Sequence, residues 1–231
     1  MPFFYYESTY ILVIIGVILS LFASFRVKST FAKYSKIMSF SGITGAQAAE
    51  RILQSSGIYD VSVQRVSGDL TDHYDPRSKV LRLSDSVYSK GTIAAIGVAA
   101  HECGHAIQHN KEYLPLKLRS AIVPVANIGS TLAMPLIFIG ILLGSSPTLI
   151  NLGIIFFSFA VLFQIITLPV ELDASKRAIQ RVGELGVLHG DEVDKARKVL
   201  NAAAFTYVAA ATASILQLLR LVLLFGGRSR D

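Results

Sequence analysis

The chain has 231 residues, of which 52% are apolar and only 16% charged, with a net charge of +6. Together with a mean hydropathy of +0.51, this argues against a freely soluble domain and for a membrane protein. The basic excess is spread along the chain without interleaved base-stacking aromatics, which excludes nucleic acid as a partner.

The first predicted element is a membrane span over about residues 10–25, preceded by Phe3, Phe4, Tyr5, Tyr6 and Tyr10 as an interfacial aromatic belt. It lacks a basic leading segment and a clear small-residue cleavage site, so it is expected to be a retained anchor rather than a secretory signal. Thr44-Gly45-Ala46-Gln47 has the form of a capping box opening a helix to about Ser55, with Gly57 as its stop. Ala48, Ala49, Ile52 and Leu53 keep helical spacing along it. Val61-Ser62-Val63-Gln64-Arg65-Val66 alternates with period two and predicts a half-buried strand, and Val80-Leu81-Arg82-Leu83 predicts a second. Gly68 to Ser78 between them reads as a polar turn region, and the two strands are expected to form a hairpin or small sheet.

Ile93 to Gln108 reads as a helix, starting somewhere between Ser86 and Thr92, and it contains His101-Glu102-Cys103-Gly104-His105. Positions i and i+4 share a helix face, so both imidazoles can bind one zinc ion. Glu102 stands where its carboxylate can take a proton from an attacking water. Cys103, the single cysteine, excludes an intrachain disulfide and reads as a small apolar filler.

Further spans are predicted at about 121–144, 148–170 and 202–225. Arg220 near the end of the last leaves two readings, a snorkelling cation or a partly buried helix. Of 22 basic residues, 13 lie between Arg26 and Arg119, 6 between Lys176 and Lys198, and 3 are Arg220, Arg228 and Arg230. Arg26, Lys28, Lys33 and Lys36 follow the first span, Lys117 and Arg119 precede the second, and Lys176, Arg177 and Arg181 follow the third. Basic flanks mark the cytoplasmic side, so segments of about 26–119 and 171–201 are expected inside. Arg228 and Arg230 would then fall outside, in mild conflict with that rule.

A catalytic zinc takes three protein ligands, so the motif needs one more. His109 follows His105 by four residues, but eight residues of helix turn it about 80° from His101, which makes it a poor ligand. Glu171, directly after the third span, is the better candidate. Two antiparallel spans joined by the Ser145-Ser146-Pro147 turn return the chain to the same membrane face, where a carboxylate and two imidazoles can meet. Asp173 reads equally as an acceptor for a histidine N–H or as a surface acid. His73 and Tyr74 are candidate donors to an oxyanion, or merely complete a polar turn. Val80 to Leu83 is a candidate edge strand for an extended substrate.

The run from Leu70 to Leu83, Ala99-Ala100-His101-Glu102-Cys103-Gly104-His105-Ala106-Ile107-Gln108-His109, and Leu168-Pro169-Val170-Glu171-Leu172-Asp173-Ala174-Ser175 resemble the YugP-like family of neutral zinc metallopeptidases of bacterial membranes. The resemblance covers essentially the whole chain. It implies a gluzincin-type site with His101 and His105 as ligands and Glu102 as base. A more distant likeness is to HtpX-type membrane proteases, where the third-ligand Glu is followed four residues on by Asp. Here Ser175 holds that position and the nearby acid is Asp173.

The expected fold is mainly α and multi-pass, with about four transmembrane helices. A small α+β cytoplasmic part carries the zincin-like HExxH helix, and residues 1–231 form a single membrane-embedded domain. The expected function is peptide-bond hydrolysis with one Zn2+, acting at the cytoplasmic face on a protein or peptide that can itself be membrane-associated, with the lipid bilayer as the other partner. An intramembrane protease is disfavoured because only Ile93 to Ala100 is apolar before His101, and polar residues follow from Gln108 to Glu112. The alternative is a non-catalytic zinc scaffold or metal sensor. Glu102 argues against it, because a structural site needs no base and closes with four ligands.

Overall fold

The computed structural model describes residues 8–226. Among these residues nine elements follow in chain order. They are α1 (Tyr10–Tyr34), α2 (Gly45–Ser55), β1 (Ser62–Arg65), β2 (His73–Asp75), β3 (Val80–Leu83), α3 (Ile93–Asn110), α4 (Leu114–Leu142), α5 (Pro147–Glu184) and α6 (Asp191–Phe225). Helices α1, α4, α5 and α6 are each long and apolar enough to cross a bilayer. The protein is thus a mainly α, multi-pass membrane protein with a small sheet. The aromatic residues Phe3, Phe4, Tyr5 and Tyr6 and the basic pair Arg228 and Arg230 lie outside the described residues.

The four long helices run past the predicted spans. At 1.5 Å per residue the 38 residues of α5 extend about 57 Å, against a hydrocarbon core of about 30 Å. The chain separates into two compact units accordingly. Among the described residues, one holds 8–23, 117–168 and 206–226; the other holds 24–116 and 169–205.

In the first unit, α4 and α5 form an antiparallel hairpin. A Cβ at Gly129 would meet the Phe156 backbone, one at Gly153 the Ala133 carbonyl and Ile137, and one at Gly140 the Ile150 side chain. Small residues let helix backbones approach closely where lipid offers no hydrophobic drive to associate. The turn between them is closed by Ser146 N donating to Gly140 O at 2.8 Å, with Gly144 and Ser145 both at positive φ. Gly16 of α1 meets Ala213 of α6, and the Arg220 guanidinium lies 4.2 Å from the Tyr10 ring centroid, so these helices also run antiparallel. The Arg220 cation thus rests on an aromatic face. Outward faces carry Leu21, Phe138 and Leu142, each more than 60% exposed, as lipid-facing residues are.

The second unit has an ordinary apolar core. Ile52 and Leu53 of α2, Leu81 and Leu83 of β3, Ile93, Ile96 and Ile107 of α3, and Val182 and Leu200 from the long helices pack together. Thr44 and Gln47 close the expected capping box at 3.3 and 2.9 Å, and Gly57 takes φ +72° just past the helix. This alignment of capping, periodicity and burial makes α2 a rigid partner for α3.

The sheet corrects two expectations. Strand β1 pairs with β3 in parallel, Ser62 opposite Val80 and Arg65 opposite Leu83, so of the two expected arrangements the predicted strands form the small sheet and not the hairpin. The segment read as a turn contains β2, antiparallel to β3 with His73 opposite Arg82 and Asp75 opposite Val80. Strand order is β1-β3-β2, so Val80–Leu83 is the central strand and not an edge. Its near-continuous burial agrees: Val80, Leu81 and Leu83 are all buried. A strand hydrogen-bonded on both sides has no free backbone row to offer an extended peptide.

Candidate metal centre

Helix α3 begins at Thr92, whose hydroxyl accepts from Ala95 N at 3.3 Å. Its first half is Ala- and Gly-rich and buried, and this lets it sit deep in the core. Cys103 is fully buried with Sγ 3.5 Å from Ala49 O, the expected apolar filler, and burial pushes its thiol well above the ordinary range. The decisive packing residue is Gly104. A Cβ there would run into the Ala174 carbonyl, so α3 and α5 touch backbone to backbone at this point.

That crossing fixes what meets what. His101 and His105 lie one turn apart on α3, with ring centroids 4.8 Å apart and planes at 84°. Glu171, one turn before Ser175 on α5, faces both. Its Oε2 is 3.3 Å from His101 Nε2 and 3.5 Å from His105 Nε2. The three ligand atoms all lie within 4.8 Å of one another. A tetrahedral metal bonded at about 2.0–2.1 Å has ligand-to-ligand edges of about 3.3–3.4 Å, close to the two nitrogen–oxygen separations here. Two borderline nitrogens and one carboxylate oxygen are a donor set that suits zinc, and three ligands leave a coordination position open. The geometry fits a resident zinc ion.

The far ring nitrogens are also held. His101 Nδ1 lies 3.1 Å from Ser175 Oγ, and His105 Nδ1 lies 3.1 Å from Gln108 Oε1. Burial works against a proton on His105. The bond to Glu171 and the charges of Glu102 and Glu171 outweigh it, so the imidazole sits above its ordinary value in the metal-free state. Glu102 is buried, and no hydrogen bond or ion pair among the described residues engages its carboxylate.

The remaining candidates are placed differently. Asp173 contacts neither imidazole; its Oδ2 accepts from Gln108 Nε2 at 2.8 Å and pairs with Arg177 Nε at 2.6 Å. The partner of the far ring nitrogen is therefore the Gln108 amide oxygen on His105 and the Ser175 hydroxyl on His101. His109 is not in the metal group; its Nδ1 lies 2.9 Å from Tyr74 Oη. Burial first, then the charges of Asp60 and Asp75, push the Tyr74 phenol up to about 12, so it stays protonated at neutral pH. His73 is turned to Thr71 O at 2.8 Å and Arg82 at 3.4 Å. Before them, Asp72 accepts from Ser84 N and Oγ at 2.7 and 2.9 Å; burial raises its pKa, and the Glu102 charge adds to the rise.

Residues 9–226 match the family described as "Putative neutral zinc metallopeptidase", and the chain belongs to that family. It is 53% identical over 214 residues to the "Putative membrane protease YugP" of Bacillus subtilis (strain 168), covering 92% of this chain and 95% of that protein. No solved structure matches the chain.

Proposed function

We propose that the protein is a membrane-bound zinc metalloendopeptidase of gluzincin type that hydrolyses peptide bonds at the cytoplasmic membrane face. The observation that carries this reading is the convergence of His101 Nε2 and His105 Nε2 on one oxygen of Glu171, with Glu102 next to the first histidine and held by no hydrogen bond or ion pair among the described residues. His101, His105 and Glu171 would hold a single zinc ion. When bound, that ion supplies Lewis acidity, lowering the pKa of water toward neutrality and polarising a carbonyl.

The chain's own groups do the rest. Glu102 takes the proton of the attacking water and delivers it to the leaving amine, which a carboxylate free of other partners can do in both directions. Tyr74 is our candidate to donate to the oxyanion, since its phenol remains an O–H at working pH and is oriented by His109. His73 is a weaker one, because Thr71 and Arg82 occupy both of its ring nitrogens. An extended substrate finds its backbone partner on β2, the sheet edge nearest the motif, in place of the covered β3.

The cytoplasmic assignment rests on the basic flanks at Arg26 to Lys36, Lys117 to Arg119 and Lys176 to Arg181. Substrates are proteins or peptides, including membrane-associated ones, because the chain is itself anchored by four apolar helices. A zinc scaffold or metal sensor would have closed the site with a fourth ligand, and the metal group holds three among the described residues.

The test is Glu102→Gln. It should keep bound zinc while cleavage of a denatured protein substrate falls by about three orders of magnitude or more. Undiminished cleavage would remove Glu102 from the chemistry and return the scaffold reading.

A further inference from the structure

Gln108 is fully buried three residues after His105, and its amide is committed on both sides. Nε2 donates to Val170 O at 2.7 Å and to Asp173 Oδ2 at 2.8 Å, while Oε1 faces His105 Nδ1 at 3.1 Å. Both groups beyond Nε2 are pure acceptors. Flipping the amide would set its oxygen against a carbonyl and a carboxylate, so the NH2 group must stay where it is. The oxygen is then obliged to face the imidazole, and an acceptor facing Nδ1 requires the ring to carry its proton there. With its proton held on Nδ1, the neutral ring offers a metal the lone pair of Nε2, the atom turned toward Glu171.

We infer that Gln108 is a positioning residue for the metal centre: it sets the tautomer of His105 and ties that ligand to the helix bearing Glu171. The inference rests on the zinc reading of the site. It goes further by assigning a role to a residue outside the HExxH motif and outside the ligand set. The same amide bonds the carbonyl of Val170, the residue before Glu171, so one side chain orients one ligand and anchors the backbone beside another.

Asp173 and Arg177 complete the arrangement. Arg177 Nε lies 2.6 Å from Asp173 Oδ2, and its guanidinium rests 5.6 Å from the Tyr113 ring centroid. This holds Asp173 as a carboxylate acceptor and keeps the Gln108 amide from turning. His101 has no such device. Its partner Ser175 carries a hydroxyl, which can donate or accept, so the contact alone leaves that ring's tautomer open. The two ligands are held by different logic.

The experiment uses the full-length protein in detergent. Long-range proton–nitrogen NMR of zinc-free, 15N-histidine-labelled protein at pH 9 should report His105 as the Nδ1–H tautomer, assigned by loss of its signals in His105→Asn. In Gln108→Met, which keeps volume but offers no oxygen, the signals should move toward the Nε2–H form or a mixture. Zinc affinity, read by competition with a chromophoric chelator, should fall about 10- to 100-fold. An Nε2–H tautomer in the wild type, or zinc binding in Gln108→Met within twofold of wild type, would overturn the inference. Zinc bound no more tightly by wild type than by His101→Ala would remove the metal site itself, and this inference with it.

Discussion

Ser175 Oγ lies 3.1 Å from His101 Nδ1, one helical turn beyond Glu171 on the same face of α5. One turn of helix therefore supplies both a facing carboxylate and the support for the histidine it faces. Ser175→Ala should weaken zinc binding by about tenfold, measured by chelator competition, because the His101 ring loses the hydroxyl that holds its Nδ1. Ser175→Asp should bind at least as tightly as wild type, since a carboxylate there is an obligate, charged acceptor for an N–H on His101 Nδ1.

Gly104 is the other determinant of the site. Its lack of a Cβ allows α3 to lie on the Ala174 carbonyl. Gly104→Ala should force the helices apart, destabilising the fold by about 1–3 kcal/mol and separating the histidines from Glu171. Thermal unfolding in EDTA and zinc content after dialysis should both fall. Wild-type values for both would show that the close approach is not required.

Metal binding should be steeply pH-dependent. His105 in the metal-free protein has its pKa raised above 6.5 by its partners despite burial. A proton on His105 therefore stabilises the zinc-free fold most fully below pH 6.5, and that contribution is lost as pH rises through the higher folded value. Zinc must displace this proton. Its apparent affinity should strengthen from pH 6 to pH 8, by up to about tenfold per pH unit for each proton released. A flat profile over that range would show that His105 is not a ligand.

The membrane topology gives an independent check. Reporter fusions at Lys90 and at Ser146 should report opposite sides, with Lys90 cytoplasmic, since the basic flanks lie at one end of the α4–α5 hairpin and the Ser146 turn at the other. Fusions reporting the same side would refute the hairpin as a transmembrane pair.

Much of this was legible in the sequence because its signals are local. The motif helix, the Thr44–Gln47 capping box, the α2 core positions and the four apolar helices all depend on residues within a few positions of one another. Glu171 was also reachable, since the chain order of motif, span, turn, span and carboxylate encodes a return to one face. Strand β2 was not. It is three residues long, His-Tyr-Asp, and carries no apolar alternation; only pairing with β3 makes it a strand. The central place of β3 was hidden for the same reason. Ser175 and Gln108 were missed as supports because uncharged partners carry no compositional mark. Their offsets, four from Glu171 and three from His105, put each on the ligand's own helix face, and that spacing was the available signal. Asp173 attracted attention by its charge, yet it acts on the amide of Gln108 and not on a ring.

The central claim is that Glu171 completes the metal site begun by His101 and His105. Elemental analysis of purified wild type, Glu171→Ala and His109→Ala after dialysis tests it most directly. The account predicts about one zinc per chain in wild type and in His109→Ala, and a sharp loss in Glu171→Ala. Full zinc in Glu171→Ala, with loss in His109→Ala or Asp173→Ala instead, would contradict it.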